Sequence, residues 1–119
     1  MTRIFPEPEF AVQLREELPL PDVRHVLFLF AGDLQRLTLG IRTAAETGDA
    51  MALRRTAHAL AGAAGAVGAC DLERSCRSSM SHLNPDESSL LNQCLTIEAA
   101  AAAAQEALER VRADIAEAG

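Results

Sequence analysis

Three histidines and three cysteines are the side chains of widest chemical reach in this 119-residue chain, and only His58 stands in an unusual setting. The stretch from Leu53 to Ala69 reads LRRTAHALAGAAGAVGA. At about 100° per residue, Leu53, Ala57, Leu60, Ala64 and Val67 form one apolar helical stripe, and His58 falls roughly opposite it. Arg54, Ala61, Gly62 and Gly65 are predicted to share the histidine's face. A glycine inside a helix costs about 1 kcal/mol relative to alanine, so Gly62 and Gly65 together give up roughly 2 kcal/mol to keep that surface low. Imidazole is a nucleophile toward phosphorus when it is neutral and sterically free. Histidine's ordinary pKa of about 6.5 leaves most exposed imidazoles neutral near pH 7. A surface kept low in this way suits close approach to the ring by another protein, or by a phosphoryl group that such a protein carries. His25 lies off its helix's main stripe and His82 near a helix end; neither has a small-residue surround, and both read as plain surface residues.

The residues around His58 also resemble a known signature. Ala57-His58-x-Leu60-x-Gly62, followed by Gly68-Ala69, is similar to the pattern of histidine-containing phosphotransfer (HPt) domains: A-H-x-L-K-G, five residues, then G-A. Gly48-Asp49, Leu53 and Leu72 also fall where that family has them, and the resemblance spans about Asp22 to Leu95. It implies that His58 takes a phosphoryl group, on the distal ring nitrogen, from the aspartyl phosphate of a receiver domain. Leu60, Gly68 and Ala69 are then structural parts of the motif. The implied partners are response-regulator receiver domains and a hybrid sensor histidine kinase. The implied Mg²⁺ belongs to the receiver, so this chain needs no cofactor of its own, and monomeric bundles are usual for the family. One residue departs from the pattern, since the family's lysine three positions after the histidine is Ala61 here.

Composition narrows the class. Hydrophobic residues make up 49% of the chain and aromatic ones 3%, which favours an all-α bundle over a sheet. The net charge of −6 argues against nucleic acid or an anionic membrane as partner. All 11 basic residues are arginines, but a bias against lysine would predict arginine at position 61, not alanine. Cys70, Cys76 and Cys94 are odd in number and lack C-x-x-C spacing, so small apolar residues in a reducing cytosol are expected, with no metal site or disulfide. Neither a signal-peptide pattern nor an apolar run of about 20 residues is present, and a cytoplasmic protein is expected. No nucleotide-binding glycine motif is found, so no ATP binding or self-phosphorylation is expected, and the chain is read as a phosphocarrier rather than an enzyme.

The elements that must position His58 follow from periodicity and punctuation. Residues 1–20 hold prolines at 6, 8 and 19 and room for one short helix, about Glu9 to Glu17. Residues 21–118 form the bundle proper of a single domain spanning 1–119. Its long first helix runs from Pro21-Asp22 to about Thr47, with Val23, Val26, Leu27, Phe30, Leu34, Leu37, Ile41 and Ala44 as its stripe. Gly48 stops it and Asp49 caps the histidine helix, which runs to about Val67. A third helix reaches about Leu83, with Leu72, Cys76, Ser79 or Met80, and Leu83 inward. Asn84-Pro85-Asp86 turns into a last helix to about Ala116, striped by Cys94, Ile97, Ala101, Ala104, Leu108, Val111 and Ile115. Short turns between amphipathic helices predict an antiparallel up-down-up-down four-helix bundle with a small extra N-terminal helix.

Several side chains carry competing expectations. Arg54 and Arg55 precede His58 by one turn and read equally as phosphoryl-facing cations or as a solvated face. Arg54 is favoured because i and i+4 share a surface. Phe28, Leu29 and Leu39 lie off the buried stripe. They form either an apolar docking patch beside His58 or a surface covered by Phe10 and Leu14, with cover preferred for the two leucines. Gly65 is read as clearance for a partner, with helix contact the alternative. A relay protein leads the functional readings, ahead of a degenerate adaptor that binds receivers without transfer. An enzyme using His58 as acid or base lacks the carboxylate partner it would need.

Overall fold

The chain turns twice on the same device. In the computed structural model, which describes residues 10–80 and 87–118, helix α2 (Leu20–Thr47) ends at Gly48 with φ 73°, and α3 (Ala50–Val67) ends at Gly68 with φ 76°. Glycine enters that left-handed region without the penalty a Cβ incurs. At the first corner the Gly48 N–H donates to the Ala45 carbonyl at 3.3 Å and the Asp49 N–H to the Ala44 carbonyl at 2.9 Å. The second corner repeats this, Gly68 to Gly65 at 3.3 Å and Ala69 to Ala64 at 2.9 Å, which is the Schellman pattern at both. Asp49 then caps α3, its Oδ1 accepting from the Ala52 N–H at 3.0 Å. Helix α4 (Cys70–Met80) follows the second corner, and α5 (Glu87–Ala118) completes the set.

The predicted stripes are the core. From α2 the buried residues are Val23, Leu27, Phe30, Leu34, Leu37, Ile41, Ala44 and also Ala45, while Val26 is half-buried. All seven residues of the α5 stripe are buried, so the alanine run continues a packed face. In α4, Ser79 rather than Met80 takes the inward position after Leu72 and Cys76. Helix α2 packs against α3 and α5, α3 against α4, and α4 against α5. Arg24, near the start of α2, donates to the Ile115 carbonyl near the end of α5, while Arg42, near the end of α2, pairs with Glu98 in the first half of α5. These two helices therefore run in opposite directions. The expected continuation of α4 to Leu83, the Asn84-Pro85-Asp86 turn, His82 and the Glu9 start of the first helix lie outside the described residues. None of the described helices is long and apolar enough to cross a membrane.

Helix α1 (Val12–Glu17) is shorter than predicted, because Ala11 sits in the left-handed region at φ 59°. The Ala11 N–H donates to the Val67 carbonyl at 2.7 Å, which ties α1 to the C-terminal end of α3. Phe10 is turned inward, its ring 6.0 Å from that of Phe30. The expected cover over Leu29 and Leu39 is thereby overturned, and these residues remain 52% and 66% exposed.

Candidate functional site

His58 lies near the middle of α3 and is exposed. Its neighbours Ala57 and Leu60 are 0% exposed, and Ala69 beyond the Gly68 corner is equally enclosed. The cap at Asp49, the buried stripe and the Gly68 turn fix α3 along its length and in rotation, so the imidazole must project outward. One turn further on, a Cβ placed at Gly62 meets nothing within 4 Å among the described residues. The surface beside the ring is open there, as the sequence predicted.

Three other expectations for this face are corrected. Ala61 does not share the histidine's surface; it is fully buried. Its angle on the helix lies between the core stripe and His58, and packing of α4 on α3 places that flank inside. Gly65 does not leave clearance for a partner either. A Cβ there meets the Glu73 carboxyl group at 3.2 Å, so this glycine accommodates α4. Phe28 is 64% exposed, yet it is not beside His58. It lines a groove with Arg24, Arg112 and Ile115 on the seam of α2 and α5, whereas α3 packs on the other flank of α2. Conversely, Met51 is 71% exposed and stands seven residues before His58, two turns away on the same face. The sequence reading missed it, although its spacing to Arg54, Arg55 and His58 carried the signal.

The charges around the ring differ in their commitments. Arg54 donates through Nη2 to the Met80 carbonyl at 2.5 Å, closing onto the last residue of α4. Arg77, a cation the sequence reading did not single out, grips Glu73 through Nε at 3.0 Å and Nη2 at 2.8 Å. Arg77 lies between Glu73 and Met80 on α4, and His58 lies between their respective partners, Gly65 and Arg54, on α3. Arg77 and His58 are therefore at the same level of the bundle. Arg55 is exposed and has no ion-pair or hydrogen-bond partner among the described residues.

Other polar features lie away from this face. Arg42 binds Glu98 at 2.6 and 3.0 Å across the α2–α5 seam, and this contact holds the Glu98 carboxyl below its usual range. A groove of about 710 Å³ on that seam, lined by Thr38, Leu39, Ala101 and Gln105 among others, does not include His58. Cys76 and Cys94 are buried, and burial pushes their thiols up to about 12 and about 11. Among the described residues no group of His, Cys, Asp and Glu is arranged to hold a metal ion.

Comparison with protein families matches residues 25–117 to the Hpt domain. Comparison with curated proteins and with solved structures gave no match. Hpt domains are phosphocarriers in two-component phosphorelays, where they work through a histidine and interact with receiver domains and histidine kinases. The matched span takes in most of α2, all of α3 and α4 with the His58 face, and nearly all of α5, and the chain belongs to the Hpt domain family.

Proposed function

We propose that this chain is a stand-alone histidine phosphotransfer protein that accepts a phosphoryl group at His58 from one receiver domain and passes it to another. The observation that carries this reading is an exposed imidazole on a rigidly packed helix, with open space over Gly62. The lone pair of the distal nitrogen attacks phosphorus, an N–P bond forms, and the acyl-phosphate O–P bond breaks. The receiver's aspartate leaves as a carboxylate, and the positive charge on the ring is relieved by loss of the other N–H proton to solvent. Return to a second receiver reverses these steps. Such transfer depends on positioning and charge neutralisation, so the carrier itself can be chemically sparse. The receiver's Mg²⁺ supplies electrostatic stabilisation, while this chain supplies the nucleophile, its orientation and the clearing.

The setting we propose is a cytoplasmic monomer whose four long helices run up-down-up-down, a topology supported by the two Schellman corners and the opposed α2 and α5. Incubation with a receiver domain phosphorylated by acetyl phosphate tests the function. Acid-labile, base-stable phosphate located on His58 by mass spectrometry, and lost in His58→Gln, is the expected result. A second reading, a receiver-binding adaptor without transfer, is favoured by the alanine at position 61; it predicts binding to the receiver with no phosphate gained.

A further inference from the structure

The phosphoryl group on His58 brings close to two negative charges into the vicinity of an acidic protein, and a cation within reach of it stabilises both transfer and product. Three arginines flank the clearing, and two of them are already engaged. Arg54 closes onto the α4 C-terminal carbonyl of Met80. Arg77 neutralises Glu73, the carboxylate packed against Gly65. Withdrawing either would leave the Met80 carbonyl or the Glu73 carboxylate without that contact. Arg55 has neither commitment: it is exposed, it lies three residues before His58, and the fold gives it no partner among the described residues. Side chains three apart on a helix are surface neighbours, and the arginine stem is long enough to bring its guanidinium over the ring. The position at which a cation would follow the histidine by three is occupied by fully buried Ala61, so a cation three residues before it is the helical alternative.

We infer that Arg55 is the phosphoryl-binding cation of this carrier, and that Arg54 and Arg77 serve the α3–α4 junction. The inference rests on His58 being the acceptor. Guanidinium pairs with phosphate through a two-pronged hydrogen bond that lysine cannot reproduce, so Arg55→Lys is informative beside Arg55→Gln.

The test uses the full chain phosphorylated by a receiver domain charged with acetyl phosphate. Its readouts are the transfer rate, the lifetime of phosphohistidine and thermal stability at two salt concentrations. Arg55→Gln is expected to slow transfer by about tenfold at low salt with unchanged melting, and to blunt the salt dependence, because one exposed charge contact is removed. Arg55→Lys should recover part of the rate. Arg54→Gln and Arg77→Gln should lower the melting temperature more than the transfer rate. An Arg55→Gln protein that transfers as fast as wild type, or a loss confined to Arg54→Gln or Arg77→Gln, overturns the inference. A wild-type chain that gains no phosphate on His58 instead overturns the acceptor reading, so the two failures are distinguishable.

Discussion

Gly62 separates stability from function in a way the structure makes quantitative. Among the described residues a Cβ added there touches nothing within 4 Å, so Gly62→Ala gains helix propensity without a steric cost. That gain is about 1 kcal/mol. For a chain of this size it raises the melting temperature by about 3–5 °C. Gly65→Ala offers the same propensity but sets its methyl 3.2 Å from the Glu73 carboxyl, which Arg77 holds in place. The contact offsets most of the gain, and little change in melting is expected. Enlarging the first residue to Gly62→Leu keeps the fold but raises a wall one turn from the imidazole. Displacing a phosphodonor by an ångström costs on the order of 100-fold in rate. Thermal unfolding followed by circular dichroism, with a phosphotransfer time course on the same samples, reads both effects. A Gly62→Ala protein that melts below wild type, or a Gly62→Leu protein that transfers at the wild-type rate, refutes the reasoning.

Other expectations follow from single contacts. Restoring a lysine as Ala61→Lys places a long charged chain at a fully buried position, so it should destabilise by about 1–3 kcal/mol in denaturant melts. Asp49→Ala removes the side-chain cap on Ala52 N–H and should cost about 1 kcal/mol by urea titration, with the transfer rate per folded molecule unchanged. Burial holds the thiols of Cys76 and Cys94 near 12 and 11, above their ordinary 9.0. Their stability contribution is thus intact below pH 9.0 and is lost as pH rises through 11 and 12. Alkylation at neutral pH should label half-buried Cys70 first and reach the other two only at the rate of global unfolding, which peptide mapping would show.

The bundle was legible because its information is periodic. Seven inward positions of α5 and the α2 stripe follow from spacings of three and four, and both corners follow from Gly48 and Gly68, where the left-handed backbone leaves little choice of residue. His58 was legible for the same reason, being far in angle from the buried stripe. The errors fall elsewhere, at residues on the flanks. Ala61 and Gly65 sit between the core direction and the histidine direction, where a helical wheel cannot say which neighbouring helix closes over them. Leu29 and Leu39 failed similarly, since their cover depends on where α1 docks, and one backbone hydrogen bond from Ala11 to Val67 ties α1 elsewhere, whereas Phe28 lies on the α2–α5 seam.

These flank residues alter the physical picture of the site. Two glycines beside a histidine suggest a broad cleared platform, whereas the structure shows two devices with different purposes. Gly62 leaves space, and Gly65 lets α4 approach with a carboxylate. That carboxylate does not stand bare, since Arg77 grips Glu73 within α4 itself. The close α3–α4 junction thus brings a negative charge toward the acceptor face and carries its own neutralisation. The remaining cationic charge on the α3 face, at Arg55, stays available to the phosphate.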